Sequence, residues 1–298
     1  MSEPLAFRNG ELIPAHQLTV AVNDPGFVQG ATVAERMRTF HGKLFRLEEH
    51  LDRLQRSLAT VGITLPYRWS QLAEAADQLV AHNHALLDAG SDLGLCIFVT
   101  PGCGQGPLTG MHTNQLDFRS FAEKYRSGQK LAITEIRQVP TACWPAELKC
   151  RSRMHYYLAD RLAAQQIPGA RALLLDLEGY VSEASTANLL AYSKQDGFVS
   201  PPLEKILPGI SMSVVQELAQ QLNIPFVYRN LDVPAFLAAD EILLTSTSPC
   251  VLPVASVDRN VIGDGRPGVM FSRLHESWNQ LVGIDIQDQA RRCAESSG

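Results

Sequence analysis

Lys149 lies in the stretch Glu147-Leu148-Lys149-Cys150-Arg151-Ser152-Arg153-Met154-His155-Tyr156-Tyr157. The chain has six lysines. The other five, Lys43, Lys124, Lys130, Lys194 and Lys205, sit beside Gly, Glu or Gln in stretches that read as turns or solvated faces. Lys149 alone follows an apolar approach, Trp144-Pro145-Ala146 and Leu148. A lysine brought into apolar surroundings loses solvation, which favours its neutral amine. A neutral amine is a nucleophile and forms Schiff bases with carbonyl compounds. The same spacing also suits a lysine whose stem packs along Trp144 while its charge stays in water.

Three further stretches could act with such a lysine. Pro208-Gly209-Ile210-Ser211 precedes an amphipathic run. Backbone N–H groups at a helix N-terminus bind phosphate, and glycine lets the backbone come close. Ser211 as a plain N-cap reads the same residues without a ligand. Thr245-Ser246-Thr247-Ser248 places hydroxyls and amides at a strand end, either a second phosphate setting or a polar turn. Glu183 stands among small residues, Ala184-Ser185-Thr186-Ala187. A carboxylate there could hold a protonated pyridine nitrogen and make the ring an electron sink, or it could be a solvated turn residue.

The elements that must position these groups follow from pattern. Asn9-Gly10 within Ala6–Leu12 predicts a hairpin. Leu18–Val22 alternates as a strand, and Asp24-Pro25-Gly26 turns the chain. A strand is expected over Val33–Phe40, with His41-Gly42 leading into Lys43–Leu47. Leu47, Leu51, Leu54, Leu58 and Val61 step as one face of a helix. Glu48 and Glu49 suit its first turn, and His50 and Arg53 share a flank. Trp69–Leu87 reads as a second helix, and Leu93–Thr100 as a buried strand ending in the glycine loop Pro101–Gly106. That loop does not open a helix, so it is no dinucleotide-binding turn. Gln115–Phe121 reads as a polar strand. The charged stretch 122–130 with Ser127-Gly128 reads as a linker between an N-terminal domain, 1–121, and a C-terminal domain, 131–298. In the second half, strands are expected at Leu131–Ile136, Ala172–Leu177, Tyr180–Ser182, Leu189–Tyr192 and Ile242–Leu244. Helices are expected at Tyr157–Gln165 and Ser211–Leu222. Short antiparallel strands with a few helices predict an α+β class.

Composition narrows the function. The 298 residues carry a net charge of -5, which leaves no basic footprint for nucleic acid. No apolar run reaches membrane-spanning length, and Met1-Ser2-Glu3-Pro4 does not begin a secretory signal. The expected location is therefore cytoplasmic. The six cysteines show no C-x-x-C spacing and read as free thiols. No metal site is expected; His82 and His84 read as surface residues near a helix end.

Lys149, then Val181-Ser182-Glu183-Ala184-Ser185-Thr186-Ala187-Asn188-Leu189, then Ile206-Leu207-Pro208-Gly209-Ile210-Ser211, in this order and spacing, resemble the class IV aminotransferases. These are the fold-type IV pyridoxal-phosphate enzymes: branched-chain aminotransferases, D-amino-acid aminotransferases and aminodeoxychorismate lyase. Glu35–Phe45 and Glu49–Leu54 resemble the N-terminal hairpin and helix of that family, so the likeness runs from about Asn9 to Val257. It implies two α/β domains, pyridoxal 5'-phosphate between them, and a homodimer. Lys149 would form the Schiff base and carry the proton. Glu183 would pair with the pyridine nitrogen. Arg53 would fork onto the phosphate, with Ile210, Ser211 and Thr247 beside it.

The implied activity is amino-group transfer between an amino acid, branched-chain-like or D-configured, and a 2-oxo acid. The alternatives are the lyase and a member that binds the cofactor without turnover. Glu35 resembles the transaminases, and Arg153, four residues past Lys149, resembles the lyase. The arginines that branched-chain and D-amino-acid enzymes use for substrate are missing from Leu93–Phe98 and from Thr141–Trp144. Pro249 follows Ser248 where a backbone amide would meet the substrate carboxylate, and proline has none. Arg38 is the expected carboxylate anchor and Arg153 its competitor. Strand alternation puts Glu35 and Arg38 on opposite faces unless the strand is bulged.

Overall fold

Asn9 and Gly10 both take positive φ, 48° and 102°, and close the first hairpin. The computed structural model describes residues 3–104 and 106–296. Met1 and Ser2 of the N-terminal reading, and Gln105 of the glycine loop, lie outside the described residues. The chain forms two contact units: residues 1–116 with 148–152, and residues 117–147 with 153–298.

Unit 1 is built from β1 (Leu5–Arg8), β2 (Glu11–Pro14), α1 (Pro25–Val28), β3 (Val33–Phe40), β4 (Lys43–Leu44), α2 (Leu47–Thr60), α3 (Trp69–His84), β5 (Leu93–Thr100) and β6 (Leu108–Gln115). Its sheet runs β2-β1-β6-β5-β3-β4, every pairing antiparallel. Alternation assigns its two faces. Phe7, Val33, Met37, Leu95, Ile97, Val99 and Met111 form one core with Leu51, Leu54 and Leu58 of α2 and Leu72 and Leu79 of α3. Arg36, Arg38, Cys96 and His112 belong to the opposite face. The register from Val33↔Val99 to Arg38↔Gly94 is unbroken, so no bulge brings Glu35 and Arg38 to one side.

Unit 2 contains α4 (Phe118–Ser127), β7 (Gln129–Ile133), α5 (Met154–Gln166), β8 (Arg171–Leu175), β9 (Val181–Ala184), β10 (Ala187–Ser193), β11 (Gly197–Ser200), α6 (Ile210–Gln221), β12 (Phe226–Tyr228), α7 (Val233–Leu237), β13 (Glu241–Ser246), β14 (Cys250–Val257), β15 (Asn260–Val261), α8 (Val269–Val282) and α9 (Ile286–Ser296). Its sheet runs β12-β11-β10-β13-β14-β7-β8-β9, and β9 also pairs β10, so six strands close into a ring. Three pairings are parallel, β11–β12, β7–β14 and β7–β8. The α+β class with mostly antiparallel sheets holds.

Two local expectations are corrected. Leu18–Val22 forms no strand; from Thr19 to Val22 its residues are exposed, with no neighbouring strand to pair. The polar strand at Gln115–Phe121 and the linker at 122–130 give way to α4 and the start of β7. Asp117 caps α4 by accepting from the Ser120 N–H at 3.1 Å, and Phe118 and Tyr125 are buried beneath its charged outer face. The units therefore divide near Leu116, and the lysine segment 148–152 belongs with unit 1. Among the described residues none of the six cysteines enters a disulfide. Among the described residues no helix is long and apolar enough to cross a membrane, and no cluster suits a metal ion.

Candidate active site

In unit 1 the backbone around Lys149 is pinned at several points. Cys150 bridges Val33 in antiparallel register. The Ala34 N–H donates to the Lys149 carbonyl at 3.0 Å, and the Arg151 N–H donates to the Thr32 carbonyl at 2.8 Å. The Lys149 N–H donates to Ser57 Oγ at 3.2 Å, and Ser57 sits on α2 one turn past Arg53. Leu148 joins the helix-side core. Only part of the expected apolar approach is realised, because Trp144 is half-buried and Pro145 is exposed. Lys149 itself is half-buried, and its charge reaches Glu35 and His50.

Glu35 is the anion at the centre of this half. Arg53 donates from Nε to Glu35 Oε1 and from Nη2 to Oε2, both at 2.8 Å. His50 Nδ1 stands 2.8 Å from Glu35 Oε2. The carboxylate can only accept, so Nδ1 carries the proton. Burial raises the Glu35 carboxyl, but the Arg53 charge and hydrogen bond, the His50 hydrogen bond and the Lys149 charge outweigh it. Glu35 is held well below the usual carboxylate range. Burial lowers His50 against the pull of Glu35, so the ring is neutral near pH 7. The shared flank expected for His50 and Arg53 is real, and both point at one carboxylate.

This arrangement corrects the reading of Glu35 and adds a partner to that of Arg53. Glu35, expected to line the substrate pocket, has a fully buried side chain turned to α2. Arg53 engages Glu35 through Nε and Nη2, a role the phosphate reading did not include. Arg38, on the other face of β3, is 1% exposed; its guanidinium lies 4.1 Å from the Phe40 ring centroid and its Nε donates to the Thr39 carbonyl.

In unit 2 Glu183 lies where the strand ring closes, opposite Asn188. Its carboxylate is 4% exposed and collects oriented donors. Asn188 Nδ2 donates to Oε1 at 3.0 Å and the Leu207 N–H at 3.1 Å. Gln138 Nε2 donates to Oε2 at 2.6 Å and the Tyr156 hydroxyl at 3.2 Å. Burial first, then the Glu183 charge, pushes the Tyr156 phenol well above its usual range, so it stays a donor. Asn188 also donates to the Leu207 carbonyl at 2.8 Å, which ties the Leu207–Gly209 turn to Glu183. A Cβ on Gly209 would collide with Asn188 Oδ1, so a side chain there would displace the amide that holds Glu183.

Gly209 then starts α6 with no side-chain cap. The first N–H groups of that helix, from Ile210 and Ser211, form a ready anion site. On β13, Thr245 faces Asn188 in register, and its Oγ1 is buried with no partner among the described residues. Thr247 and Ser248 lie half-buried in the turn after β13, and the Pro249 carbonyl accepts from Tyr125 at 2.7 Å. Arg153 is half-buried at the N-terminus of α5, and its charge reaches His155 and Tyr156.

A fixed buried carboxylate, an uncapped helix start and an orphaned hydroxyl fit pyridoxal phosphate, with its pyridine nitrogen and phosphate. Sequence reading reached Thr245 only within the Thr245–Ser248 stretch, and it missed the roles of Asn188, Gln138 and Tyr156 in this half. Asn188 was within reach, because the four residues after Glu183 make a turn that sets it directly opposite.

The chain matches the sequence profile described as amino-transferase class IV over residues 32–257. It is 29% identical over 290 residues to a D-alanine aminotransferase of Staphylococcus aureus (strain N315), covering 93% of this chain and 97% of that one. A D-alanine aminotransferase of Bacillus licheniformis is 28% identical over 279 residues, 92% of this chain and 95% of its own. The fold is similar to that of a T.th. branched-chain amino acid aminotransferase with pyridoxamine 5'-phosphate, with TM-score 0.86, 24% identity and 95% of each chain covered. The Escherichia coli branched-chain enzyme has TM-score 0.86, 22% identity and coverage of 94% and 95%. The resemblance drawn from Lys149, Glu183 and the Gly209 turn thus holds across the chain, which belongs to the amino-transferase class IV family and is a pyridoxal-phosphate-dependent transaminase.

Proposed function

We propose that Lys149 carries the cofactor and moves the proton, that Glu183 partners the pyridine nitrogen, and that the start of α6 with Thr247 and Arg53 takes the phosphate. The observation that carries this reading is Glu183, a buried carboxylate aimed by four donors. When bound, pyridoxal phosphate supplies the carbonyl that takes up an amino group and the ring that withdraws electrons. The protein supplies position and charge. Glu183 favours the protonated nitrogen. Asn188 links Glu183 to the Leu207–Gly209 turn, so the carboxylate and the helix start that would hold the cofactor are fixed to each other. Lys149 Nζ, on a segment tied to β3 and α2, would take the proton from the substrate α-carbon and deliver it to the cofactor's former aldehyde carbon, so that the amino group leaves the substrate. Arg53, oriented by Glu35, would hold the phosphate with its guanidinium.

The substrates are an amino acid donor and a 2-oxo acid acceptor. Arg153 is the guanidinium we assign to the α-carboxylate, because it is half-buried where Arg38 is enclosed. The D-alanine aminotransferases among the relatives favour D-alanine-like donors. A homodimer in the cytoplasm completes the reading; the exposed Val22, Phe27 and Val28 support a covering partner chain.

The test is borohydride reduction of the purified holoenzyme followed by peptide mapping. A pyridoxyl group on Lys149 is expected, and one on any other lysine overturns the assignment. A donor panel of D-alanine, D-glutamate and L-leucine, with pyruvate and 2-oxoglutarate as acceptors, sets the substrate class. Aminodeoxychorismate run alongside would release pyruvate without an acceptor if the chain were a lyase.

A further inference from the structure

Behind the Lys149 segment, on the face of the unit 1 sheet away from α2 and α3, Arg36, Cys96 and His112 form one cross-strand row on β3, β5 and β6. Arg151 completes the group. It leaves the lysine segment two residues past Lys149, and its Nη2 donates to Cys96 Sγ at 2.9 Å. Cys150 pairs Val33, so Lys149 and Arg151 leave the segment on the same side of it.

Cys96 is fully buried beneath these side chains, while Arg36 and Arg151 are exposed and His112 is half-buried. The sulfur accepts from the Arg151 guanidinium, and the His112 ring stands opposite it in register. The nearest acceptor for a thiol proton is the Ile97 carbonyl at 3.9 Å, a long contact. Burial opposes ionisation of Cys96, but the His112 hydrogen bond and the charges of Arg151, His112 and Arg36 outweigh it, so the thiol lies below its usual range. The hydrogen bond to Cys96 raises His112 above the usual imidazole value, against burial and the Arg151 charge. The charged and titratable groups facing the sulfur are Arg36 from β3, His112 from β6 and Arg151 from the lysine segment.

We propose that Cys96 is a thiolate paired with His112 and Arg151, and that this anion is the anchor that positions the lysine segment on β3. Cys96, His112 and Arg151 are positioning residues, and the proposal rests on Lys149 as the cofactor lysine. The pair replaces a flexible exposed arginine with a fixed strut. It ties the side chain two places from Lys149 to the centre of a rigid sheet. The backbone bonds from Ala34 and Arg151 then close on a segment already aligned.

The experiment reads the thiolate directly. Thiolate ultraviolet absorbance of the holoenzyme is titrated against Cys96→Ser, His112→Gln and Arg151→Gln. The difference between wild type and Cys96→Ser is expected to show one thiolate with a midpoint below the free-cysteine value of about 8.5. His112→Gln and Arg151→Gln should each raise that midpoint by one unit or more. If Cys96→Ser does not fold, the two glutamine variants, which keep the thiol, carry the same test. A midpoint at or above the free-cysteine value overturns the proposal.

Hydrogen exchange supplies the positioning readout. In Arg151→Gln the Ala34 and Arg151 amides should exchange at least tenfold faster, kcat should fall with KM nearly unchanged, and Arg151→Lys should recover part of both. Unchanged exchange and unchanged kcat in Arg151→Gln would remove the anchor even if the thiolate is present. A normal thiolate titration with the pyridoxyl group mapped elsewhere would instead fault the Lys149 assignment and leave the pair standing.

Discussion

Each unit buries one glutamate among the described residues, and the two are held in opposite ways. Glu35 meets a guanidinium on both oxygens and an imidazole on one. Glu183 meets a backbone N–H, two side-chain amides and a phenol. A guanidinium cancels the charge of its partner, whereas neutral dipoles fix the orientation of a carboxylate and stabilise its charge without cancelling it. The first arrangement makes a lock between β3 and α2. The second makes an aimed anion, which is what a cofactor nitrogen needs. Two glutamates that read alike as buried acids are therefore assigned different work by their donors.

Removing one partner of the lock should have the largest effect. Glu35→Leu leaves Arg53 buried without its anion, and breaking a buried pair from one side costs about 3–5 kcal/mol. Denaturant unfolding of the apoprotein should show that loss. The double variant Glu35→Leu/Arg53→Met should recover much of it, because apolar replacement of a buried pair is often near neutral. A loss under about 1 kcal/mol in Glu35→Leu, on the scale of an exposed pair, would show that the pair is not the lock described.

Glu183→Gln should divide the other way. Stability should fall less than in Glu35→Leu, because the amide fills the same space and its oxygen still accepts from Asn188 and Leu207, although its NH2 cannot accept from Gln138 and Tyr156. The substitution removes the charge opposite the pyridine nitrogen. A preorganised charge at a reacting centre is worth about 10²–10³ in kcat. Single-turnover measurement of the α-proton step, on enzyme with full cofactor content, checks it. Near-normal turnover would make Glu183 a second structural carboxylate and end the contrast.

The lock was more legible in the sequence than the aimed anion. Leu47, Leu51, Leu54 and Leu58 announce α2 by spacing alone, and that spacing fixes His50 and Arg53 on one flank. The partner they share, Glu35, needed only the alternation of β3. The donors of Glu183 come from 45 residues upstream at Gln138 to 24 downstream at Leu207. They meet because β9 pairs both β8 and β10, a non-local closure that local pattern does not encode. Resemblance supplied Glu183, Gly209 and Lys149, while strand register supplied Asn188 and the placing of α5 supplied Tyr156. The α4 reading failed for a related reason. Glu123, Lys124 and Arg126 dominate its composition, and the apolar stripe of Phe118 and Tyr125 is narrow.

Two buried histidines repeat the contrast and allow a pH test. His50 sits on the Glu35 carboxylate, and His275 Nε2 sits 3.0 Å from the Val251 carbonyl with Nδ1 unpartnered among the described residues. Burial, against the Val251 hydrogen bond and the Asp285 charge, pushes His275 down from 6.5 to about 4. A base depressed in the folded state binds its proton more readily when unfolded. The stability it contributes is complete above about pH 6.5 and is lost as pH falls through about 4, roughly 3 kcal/mol in all. Glu35 is depressed as well, so its contribution survives this window and is lost only below the ordinary carboxylate range. Unfolding free energies from pH 7 to pH 4 should show the loss, and His275→Phe should flatten it. A slope unchanged by His275→Phe would assign the window to other groups, His50 first.

The smallest expected effect concerns the substrate carboxylate. Arg38 and Arg153 differ as the two carboxylates do. Arg38 is enclosed over Phe40 with Nε on the Thr39 carbonyl, while Arg153 is half-buried beside Tyr156, the phenol that donates to Glu183. An enclosed guanidinium contributes packing, and an accessible one can fork onto a carboxylate. Arg153→Leu should therefore raise KM for an amino acid about tenfold, the loss of one charge-assisted hydrogen bond, and leave KM for an amine lacking the carboxylate nearly unchanged. Arg38→Leu should lower stability and move both KM values together. If Arg38→Leu raises KM for the amino acid alone and Arg153→Leu moves neither, the carboxylate sits on the far face of β3 and the enclosed arginine opens to receive it.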